Sequence, residues 1–401
     1  MCTRLRFGAM KAGFVLPVVL LFCLPIMRVG AGTSTTKYSV LSPISKGKLT
    51  IFPVAAQVIH DTSDFITLDD GIRSGDVIVT EAGNVNVRPL VRGQNHYVPD
   101  RGSGAQVNQL VLVNNSKHPL ILLAGEIVTG GKQDRIIAKD RIIPTGGDPV
   151  DLSVFCVEPG RWIGTTTKFE AMSVPQMAQP SIRYNAMAEK SQQKVWDEVG
   201  RSRERVMAEA AAPSVDAYRG GTVGRLADAR NTTSYAKTMQ YEAVQKTVDD
   251  VAKPIQTSYD SIMRQLRDKH AVGVIVAVNG QIIWADIFAS TQLLEKYWPK
   301  LVRSYAAEAI TSDSAEKQPS VAAAEQFLRE MEGNHETIET DPGVYRQAET
   351  IGTNYRLFML SALLPGTGYD IHISKMFDPS TQSSRKRAIE PLRRRHGYLP
   401  N

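Results

Sequence analysis

Residues 119–162 read PLILLAGEIVTGGKQDRIIAKDRIIPTGGDPVDLSVFCVEPGRW. The segment contains two apolar runs, and each of them stops abruptly at charged residues. The first run, Pro119–Ala124, is apolar at consecutive positions, as in a strand that is covered on both faces, and Glu126 follows it. In the second run, alternate positions share one strand face and the alternation continues to Glu158: Val150, Leu152, Val154 and Cys156. The pattern predicts two buried strands whose charged ends meet at one edge of a sheet.

The residues at these two strand ends could form a ligand site. Lysine and arginine bind phosphate or carboxylate groups, glycine amides can approach an anion closely, and tryptophan offers a flat face for a ring. The predicted ligand-binding residues are therefore Gly131, Lys132, Gln133, Arg135, Arg161 and Trp162. Glu126 and Glu158 are the candidates for acid–base catalysis. The structural alternative is that the same charges form buried ion pairs, Glu126 with Arg161 or Glu158 with Arg135, which hold the strand ends together.

The two blocks GEIVTGGKQDR and CVEPGRW resemble the signature of the ARPP-type domain family, whose members are found beside ADP-ribosylglycohydrolase and rhodanese-phosphatase domains. The family pattern is a GEE-x-x-GxKQNR block followed by a CVE-x-GRW block, and the weaker similarity extends over residues 45–375. Ile127 stands where the family has a second glutamate, and Asp134 stands where it has asparagine. The resemblance implies a domain without an established activity, and the Ile127 change implies the loss of a paired carboxylate.

The N-terminus has the pattern of an export signal. Arg4, Arg6 and Lys11 precede the apolar run Ala12–Met27, and small residues follow up to Ala31. We expect residues 1–31 to be a cleaved signal of a bacterial protein that works in the periplasm or outside the cell. The alternative is an uncleaved anchor, which would then be the only membrane contact.

Charge and cysteine content narrow the functional classes further. The formal net charge of +6 conceals +4 in residues 1–31 and +5 from Ser383 onward, so the part between them carries −3 and is not expected to bind nucleic acid. Cys156 alone would remain in the mature chain and is predicted to be a small core residue. We expect a linker at 32–48, one ARPP-type domain at 49–378 and a disordered basic tail at 379–401.

Strand and helix patterns are segregated along the chain, which predicts an α+β fold: a mixed, mostly antiparallel sheet with helices packed on it. Asn279-Gly280 between two apolar runs predicts a hairpin, and Gln109–Val113 with Pro119–Ala124 predicts another. Residues 165–185 are expected to be an irregular connection. Helices are predicted at 186–212, 234–252, 258–269, 290–310 and 320–332, with Pro254 separating the second from the third. His372 is predicted to be a satisfied, sheet-facing side chain rather than a catalytic one.

Several enzyme classes are disfavoured because their motifs are missing from the sequence. It contains no GxSxG, GxxxxGK[ST], HExxH or CxxC motif, and its seven histidines lack metal-ligand spacing. No metal or cofactor is therefore predicted, and the sequence leaves open whether the protein is an enzyme. The favoured hypothesis is that it binds, or hydrolyses, a phosphorylated or ADP-ribose-like small anion at the two blocks. The alternative is a non-enzymatic envelope module that binds glycan or protein through Trp162 and the loop at 92–104.

Overall fold

The computed structural model describes residues 37–81, 109–160, 168–170, 176–211, 232–266, 269–313, 319–333, 335–378 and 380. These described residues form one compact unit with an α+β fold. The predicted export signal, the loop at 92–104 and nearly all of the basic tail lie outside the described residues.

The described part of the chain contains seven helices: α1 (Leu68–Ser74), α2 (Pro180–Met187), α3 (Gln192–Ala211), α4 (Tyr235–Gln240), α5 (Glu242–Gln265), α6 (Thr291–Thr311) and α7 (Val321–Arg329). The strands of the first half are β1 (Tyr38–Val40), β2 (Ile44–Lys46), β3 (Leu49–Ala56), β4 (Ile66–Thr67), β5 (Val77–Glu81), β6 (Gln109–Asn114), β7 (Leu120–Leu122), β8 (Ile127–Gly130), β9 (Arg135–Ile137), β10 (Arg141–Ile143), β11 (Val150–Cys156) and β12 (Lys168–Glu170). Those of the second half are β13 (His270–Val278), β14 (Gln281–Phe288), β15 (His335–Asp341), β16 (Tyr345–Ile351), β17 (Tyr355–Ala362) and β18 (Asp370–Phe377).

The strands form three sheets. A nine-stranded sheet has the order β1-β3-β13-β14-β18-β17-β16-β15, with β2 also paired to β3. A closed barrel has the order β11-β6-β5-β12-β8-β9, and a small sheet has the order β10-β7-β4. Among the described strands, only the β4–β7 pair is parallel. The mostly antiparallel α+β fold that the sequence predicts is therefore confirmed.

One large apolar core joins the helices to the strands. It contains Val244 and Val248 of α5, Tyr305 of α6, Trp284 of the large sheet and Ile136 of the barrel, all of them buried. A second core lies between the large sheet and α7, and a third fills the barrel. The barrel segment is therefore packed into the same body as the large sheet.

The predicted hairpin at Asn279-Gly280 is confirmed, since both residues have positive φ (53° and 77°) and β13 pairs with β14. The other predicted hairpin is wrong: β6 pairs with β5 and β11, whereas β7 pairs with β10 and β4. The Asn114 side-chain amide donates to His118 O and Ile143 O, so the turn is held by a third segment rather than by strand pairing.

The predicted break at Pro254 is also wrong, because α5 continues through it. The helix buries a stripe at helical spacing, which offsets the lost backbone hydrogen bond: Val244, Val248, Ala252, Ile255 and Tyr259. The irregular connection predicted at 165–185 contains β12 and the start of α2, which has Pro180 in its first turn. The helix predicted at 186–212 begins later, as α3. Part of the predicted linker is structured too, since β1 and β2 pair with β3.

Candidate functional site

The GGKQDR loop connects β8 to β9 at one end of the barrel and closes over a carboxylate that the sequence analysis missed. Lys132 N donates to Glu81 Oε1 at 2.8 Å, and Arg135 Nη2 lies 3.9 Å from the same oxygen. Gly131 has a φ of 52°, and a Cβ there would lie 2.5 Å from Glu81 Oε1 and 2.4 Å from Phe169 Cζ. The anion next to these residues is therefore the protein's own Glu81. Glu81 could have been found from the sequence, because it follows an apolar run in the same way as Glu126 and Glu158 do.

Glu158 ties the loop to α4. Its Oε2 accepts a hydrogen bond from Asp134 N at 3.1 Å, and its carbonyl accepts one from Gln133 Nε2 at 3.0 Å. Lys237 Nζ of α4 lies 3.6 Å from Glu158 Oε1. Ser234, the N-cap of α4, donates to Asp134 Oδ2 at 2.5 Å. Asp134, which stands where the family has asparagine, thus links the barrel loop to the N-terminus of α4.

Glu126 belongs to a second buried ion set. Its carboxylate accepts a hydrogen bond from Leu123 N at 2.7 Å and lies 2.5 Å from Lys300 Nζ, which also lies 2.5 Å from Asp69 Oδ2. Burial raises the pKa of Glu126 to about 7, although the Lys300 ammonium lowers it. A carboxyl with this pKa suits proton transfer, but Glu126 is 1% exposed. The cavity that Lys300 lines measures about 10 Å³, which is room for one water molecule and not for a substrate.

Glu126 and Glu158 lie at opposite ends of β9. Glu126 O accepts from Ile137 N, whereas Glu158 Oε2 accepts from Asp134 N, three residues earlier. At about 3.3 Å per residue, the two attachment points are about 10 Å apart. Of the two pairings considered from the sequence, only Glu158 with Arg135 involves described residues alone, and there Arg135 lies 3.9 Å from Glu81 while Lys237 lies 3.6 Å from Glu158. Arg161 and Trp162 lie outside the described residues.

A further buried charge network joins the large sheet to α2 and α6. Arg183 of α2 makes two hydrogen bonds to Asp286 of β14, at 2.9 and 3.1 Å, and Tyr305 and Ser374 donate to the same carboxylate. Although burial opposes ionisation, Arg183 holds the pKa of Asp286 well below its usual value. Gly125 has a φ of 100°, and a Cβ there would lie 2.7 Å from the Arg183 side chain. The network is buried and holds the fold together.

His372 completes this network and is buried, as the sequence predicts. Its Nδ1 lies 2.6 Å from Asp140 Oδ2, and its Nε2 lies 3.3 Å from Asp286 Oδ1. Asp140 Oδ1 in turn accepts a hydrogen bond from Ala124 N. The network therefore reaches from the large sheet to the segment at 119–162.

The open space at this segment lies on the outer face of β11, in a cleft of about 420 Å³ between the barrel, α2 and the end of the large sheet. Phe155 of β11 and Phe358 of β17 contribute apolar wall. The charged lining comprises two lysines and two glutamates: Lys139, Lys190, Glu339 and Glu349. We call this space the β11 cleft.

Charges at the β11 cleft are arranged around its two carboxylates. Lys139 Nζ lies 2.5 Å and Arg141 Nη2 3.3 Å from Glu339. Lys190 Nζ lies 2.6 Å and Arg356 Nη1 3.3 Å from Glu349. Arg356 also pairs with Asp378, so these side chains together carry one positive charge in excess.

Lys190 of the β11 cleft has an unusual backbone. Its φ of 50° lies in the left-handed region, which non-glycine residues rarely adopt. Such strained positions concentrate at ligand sites, where the surrounding structure imposes them. The sequence gives no sign of this conformation, because nothing in Glu189-Lys190-Ser191 requires a left-handed residue.

Two negative findings apply to the described ranges. They contain no group of three or more His, Cys, Asp or Glu side chains arranged to hold a metal ion. None of their helices is both long and apolar enough to cross a membrane.

Comparison with known proteins places the chain in a family. No curated protein and no solved structure matches it significantly. A family model, described as the ARG and Rhodanese-Phosphatase-superfamily-associated Protein domain (ARPP-1), matches residues 37–376, which covers the strands, the helices and both sequence blocks described above. The chain therefore belongs to the ARPP-1 domain family.

Proposed function

We propose that the protein binds a small anionic ligand with a ring or other apolar part in the β11 cleft. The observation that carries this proposal is the pairing of two cleft lysines with aromatic wall, in a space of about 420 Å³. Ligand sites typically have volumes of about 300–1,000 Å³, mostly apolar walls and a few convergent polar groups. The β11 cleft fits that description, whereas Arg135 and Glu158 at the GGKQDR loop are buried among protein partners.

The ammonium groups of Lys139 and Lys190 would contact the anion. Their present partners are partly exposed carboxylates, and such pairs contribute little to stability, so a phosphate can replace them at small cost. Phe155 and Phe358 would contact the ring. Phosphorylated and ADP-ribose-like compounds combine both features, and the family description, which refers to a rhodanese-phosphatase superfamily, supports the same class by association only.

The binding test uses calorimetry with ADP-ribose and AMP, and with adenosine as the uncharged control. We expect ADP-ribose and AMP to bind, and adenosine to bind at least about tenfold more weakly, because a charge-assisted hydrogen bond contributes about 1.5–3 kcal/mol. Lys139→Gln and Lys190→Gln should each weaken the binding of the phosphates by a similar factor. Lys253→Gln, at an exposed position of α5, is the matched control and should change nothing.

Lys132→Gln distinguishes the two candidate sites in the same assay. If it abolishes binding while Lys139→Gln and Lys190→Gln have no effect, the ligand binds at the GGKQDR loop and the β11 cleft is the wrong site. If none of the phosphates binds the wild-type chain, the proposed ligand class is wrong.

We also propose that the protein works outside the cytoplasm of a bacterium. The support is the basic, apolar and small-residue pattern of residues 1–31. N-terminal sequencing of the protein recovered from its host tests this proposal, with a start near Gly32 as the expected result. A protein that begins at Met1 and remains in the cytoplasm would contradict it.

A further inference from the structure

A second cavity, of about 520 Å³, lies between α2, α3, the end of α6 and the large sheet. Tyr184, Trp284 and Phe377 contribute aromatic wall. Its charged lining consists of Glu189, Glu198 and Glu308, and none of its described lining residues is lysine or arginine. We call it the acidic cavity. It shares no lining residue with the β11 cleft.

Glu308 is held in place with one oxygen left over. Its Oε2 accepts hydrogen bonds from Ser181 N, Ser181 Oγ and Gln179 Nε2, at 3.0, 2.8 and 3.1 Å. Its Oε1 accepts none from the described residues. Burial raises the pKa of Glu308, the Ser181 hydrogen bonds lower it, and the charge of Glu198 raises it again. A cation at Oε1 would relieve the repulsion between the two glutamates.

The other two carboxylates each accept one hydrogen bond from the protein, Glu189 Oε1 from Tyr184 Oη at 3.3 Å and Glu198 Oε1 from Ser202 Oγ at 3.4 Å, and their cationic partners lie on the solvent side. Glu189 pairs with Lys194 and Glu198 pairs with Arg201, and these two cationic side chains are 54% and 60% exposed. Exposed ion pairs of this kind contribute between about 0 and 1 kcal/mol, so another cation can compete for the carboxylates. Carboxylates beside aromatic rings are the combination that recognises guanidinium and ammonium groups.

We propose that the acidic cavity binds a guanidinium or ammonium group. Two sources have this chemistry. One is a free cationic compound. The other is the chain itself, because Ser380 lines the cavity and the basic residues of the tail begin five residues later, at Arg385. Five residues span up to about 17 Å, which is enough to bring Arg385, Lys386 or Arg387 into the cavity.

The test is calorimetry with L-argininamide as the probe and L-citrullinamide, in which a neutral ureido group replaces the guanidinium, as the control; both compounds are used with the α-amine acetylated, so that the guanidinium is the only charge of the probe. It uses the full chain and a full chain in which the six basic residues of the tail are replaced by glutamine. We expect L-argininamide to bind and L-citrullinamide to bind at least about tenfold more weakly. If the tail occupies the cavity, the chain with the neutral tail binds L-argininamide more tightly than the wild type. If the ligand is a free compound, both chains bind it equally.

Single substitutions locate the binding. Glu308→Gln and Glu198→Gln should each weaken binding of L-argininamide by about tenfold, since each removes one charged partner. Glu204→Gln is the matched control, because Glu204 is an exposed glutamate on the same helix as Glu198. Should Glu308→Gln fail to fold, Glu198→Gln decides the question. The proposal is overturned if neither chain binds L-argininamide, if L-citrullinamide binds equally well, or if the folded variants retain full affinity.

Discussion

His372 lies between two buried carboxylates, Asp140 and Asp286, and these stabilise the protonated imidazole. Burial lowers the pKa of its imidazole, but Asp140 and Asp286 raise it to about 9, above the ordinary value of 6.5. Lys300 and Arg183 are also buried cations that pair with a buried carboxylate, Glu126 and Asp286 respectively. Breaking one member of such a set is expected to cost more than any exposed ion pair, at about 3–5 kcal/mol.

The stability of the protein should therefore depend on the protonation of His372. Because its folded pKa exceeds the unfolded one, its contribution is complete below pH 6.5 and is lost as the pH rises through about 9. We expect the free energy of unfolding in urea to fall by about 3 kcal/mol over this window through His372 alone. His372→Gln should remove that slope, and Asp140→Asn should reduce it.

The comparison with wild type is essential for this experiment, because burial lowers the pKa of Lys375 to about 8. Deprotonation of Lys375 above pH 8 therefore raises the free energy of unfolding, opposite to the effect of His372, and it occurs in every variant. Equal slopes in wild type and His372→Gln would contradict the assignment of a buried imidazolium.

Gly131 in the GGKQDR loop should tolerate no side chain. Gly131→Ala combines a left-handed φ with a Cβ 2.4 Å from Phe169 and 2.5 Å from Glu81. Gly47 is a matched control, with a φ of 57° and open space around it. We expect Gly47→Ala to cost about 1–2 kcal/mol, and Gly131→Ala to cost a further ~1–3 kcal/mol for overpacking, both measured by chemical denaturation. An equal loss of stability in the two variants would contradict this prediction and show that the loop can move to accommodate the methyl group.

At the scale of elements, local backbone rules and packing both decide where helices and strands occur. Ser290 is the N-cap of α6 and accepts a hydrogen bond from Leu293 N at 3.0 Å. Pro254, by contrast, fails to end α5, because the buried stripe of that helix continues on both sides of it. Packing therefore overrides a local signal when enough apolar surface is at stake.

The same substitution should have opposite effects in two elements. Gly200 lies inside α3, and a Cβ at this position would have no neighbouring atom within 4 Å, so Gly200→Ala should stabilise the protein by about 1 kcal/mol. Gly280 has a φ of 77° in the β13–β14 turn, so Gly280→Ala should destabilise it by about 1–2 kcal/mol. Thermal melts of both variants test this prediction, and shifts of the same sign would contradict it.

For the whole molecule, the shared core makes the barrel and the large sheet one thermodynamic unit. Ile136 of the barrel and Trp284 of the large sheet belong to the same buried cluster as helices α3, α5 and α6. Neither part can separate without exposing that cluster to water.

We therefore expect a single cooperative unfolding transition, with equal calorimetric and van't Hoff enthalpies. Ile136→Ala, which removes apolar contacts in the barrel, should lower the stability of the entire domain by about 2–5 kcal/mol. Tryptophan fluorescence, to which Trp284 of the large sheet contributes, and circular dichroism should report the same midpoint. Two separate transitions would show that the barrel unfolds on its own.

Sequence patterns by themselves determined the class of the fold, the β13–β14 hairpin and the burial of Cys156 and His372. Each of these depends on residues that are close in the chain, where spacing and turn chemistry act directly. Only the tertiary structure decided the partners of the charges, because Glu81, Lys300 and Asp286 come from segments that are far from their partners in the chain and meet them only in the fold. The β11 cleft and the acidic cavity arise in the same way. They are spaces between packed elements, and their walls exist only once the chain has folded.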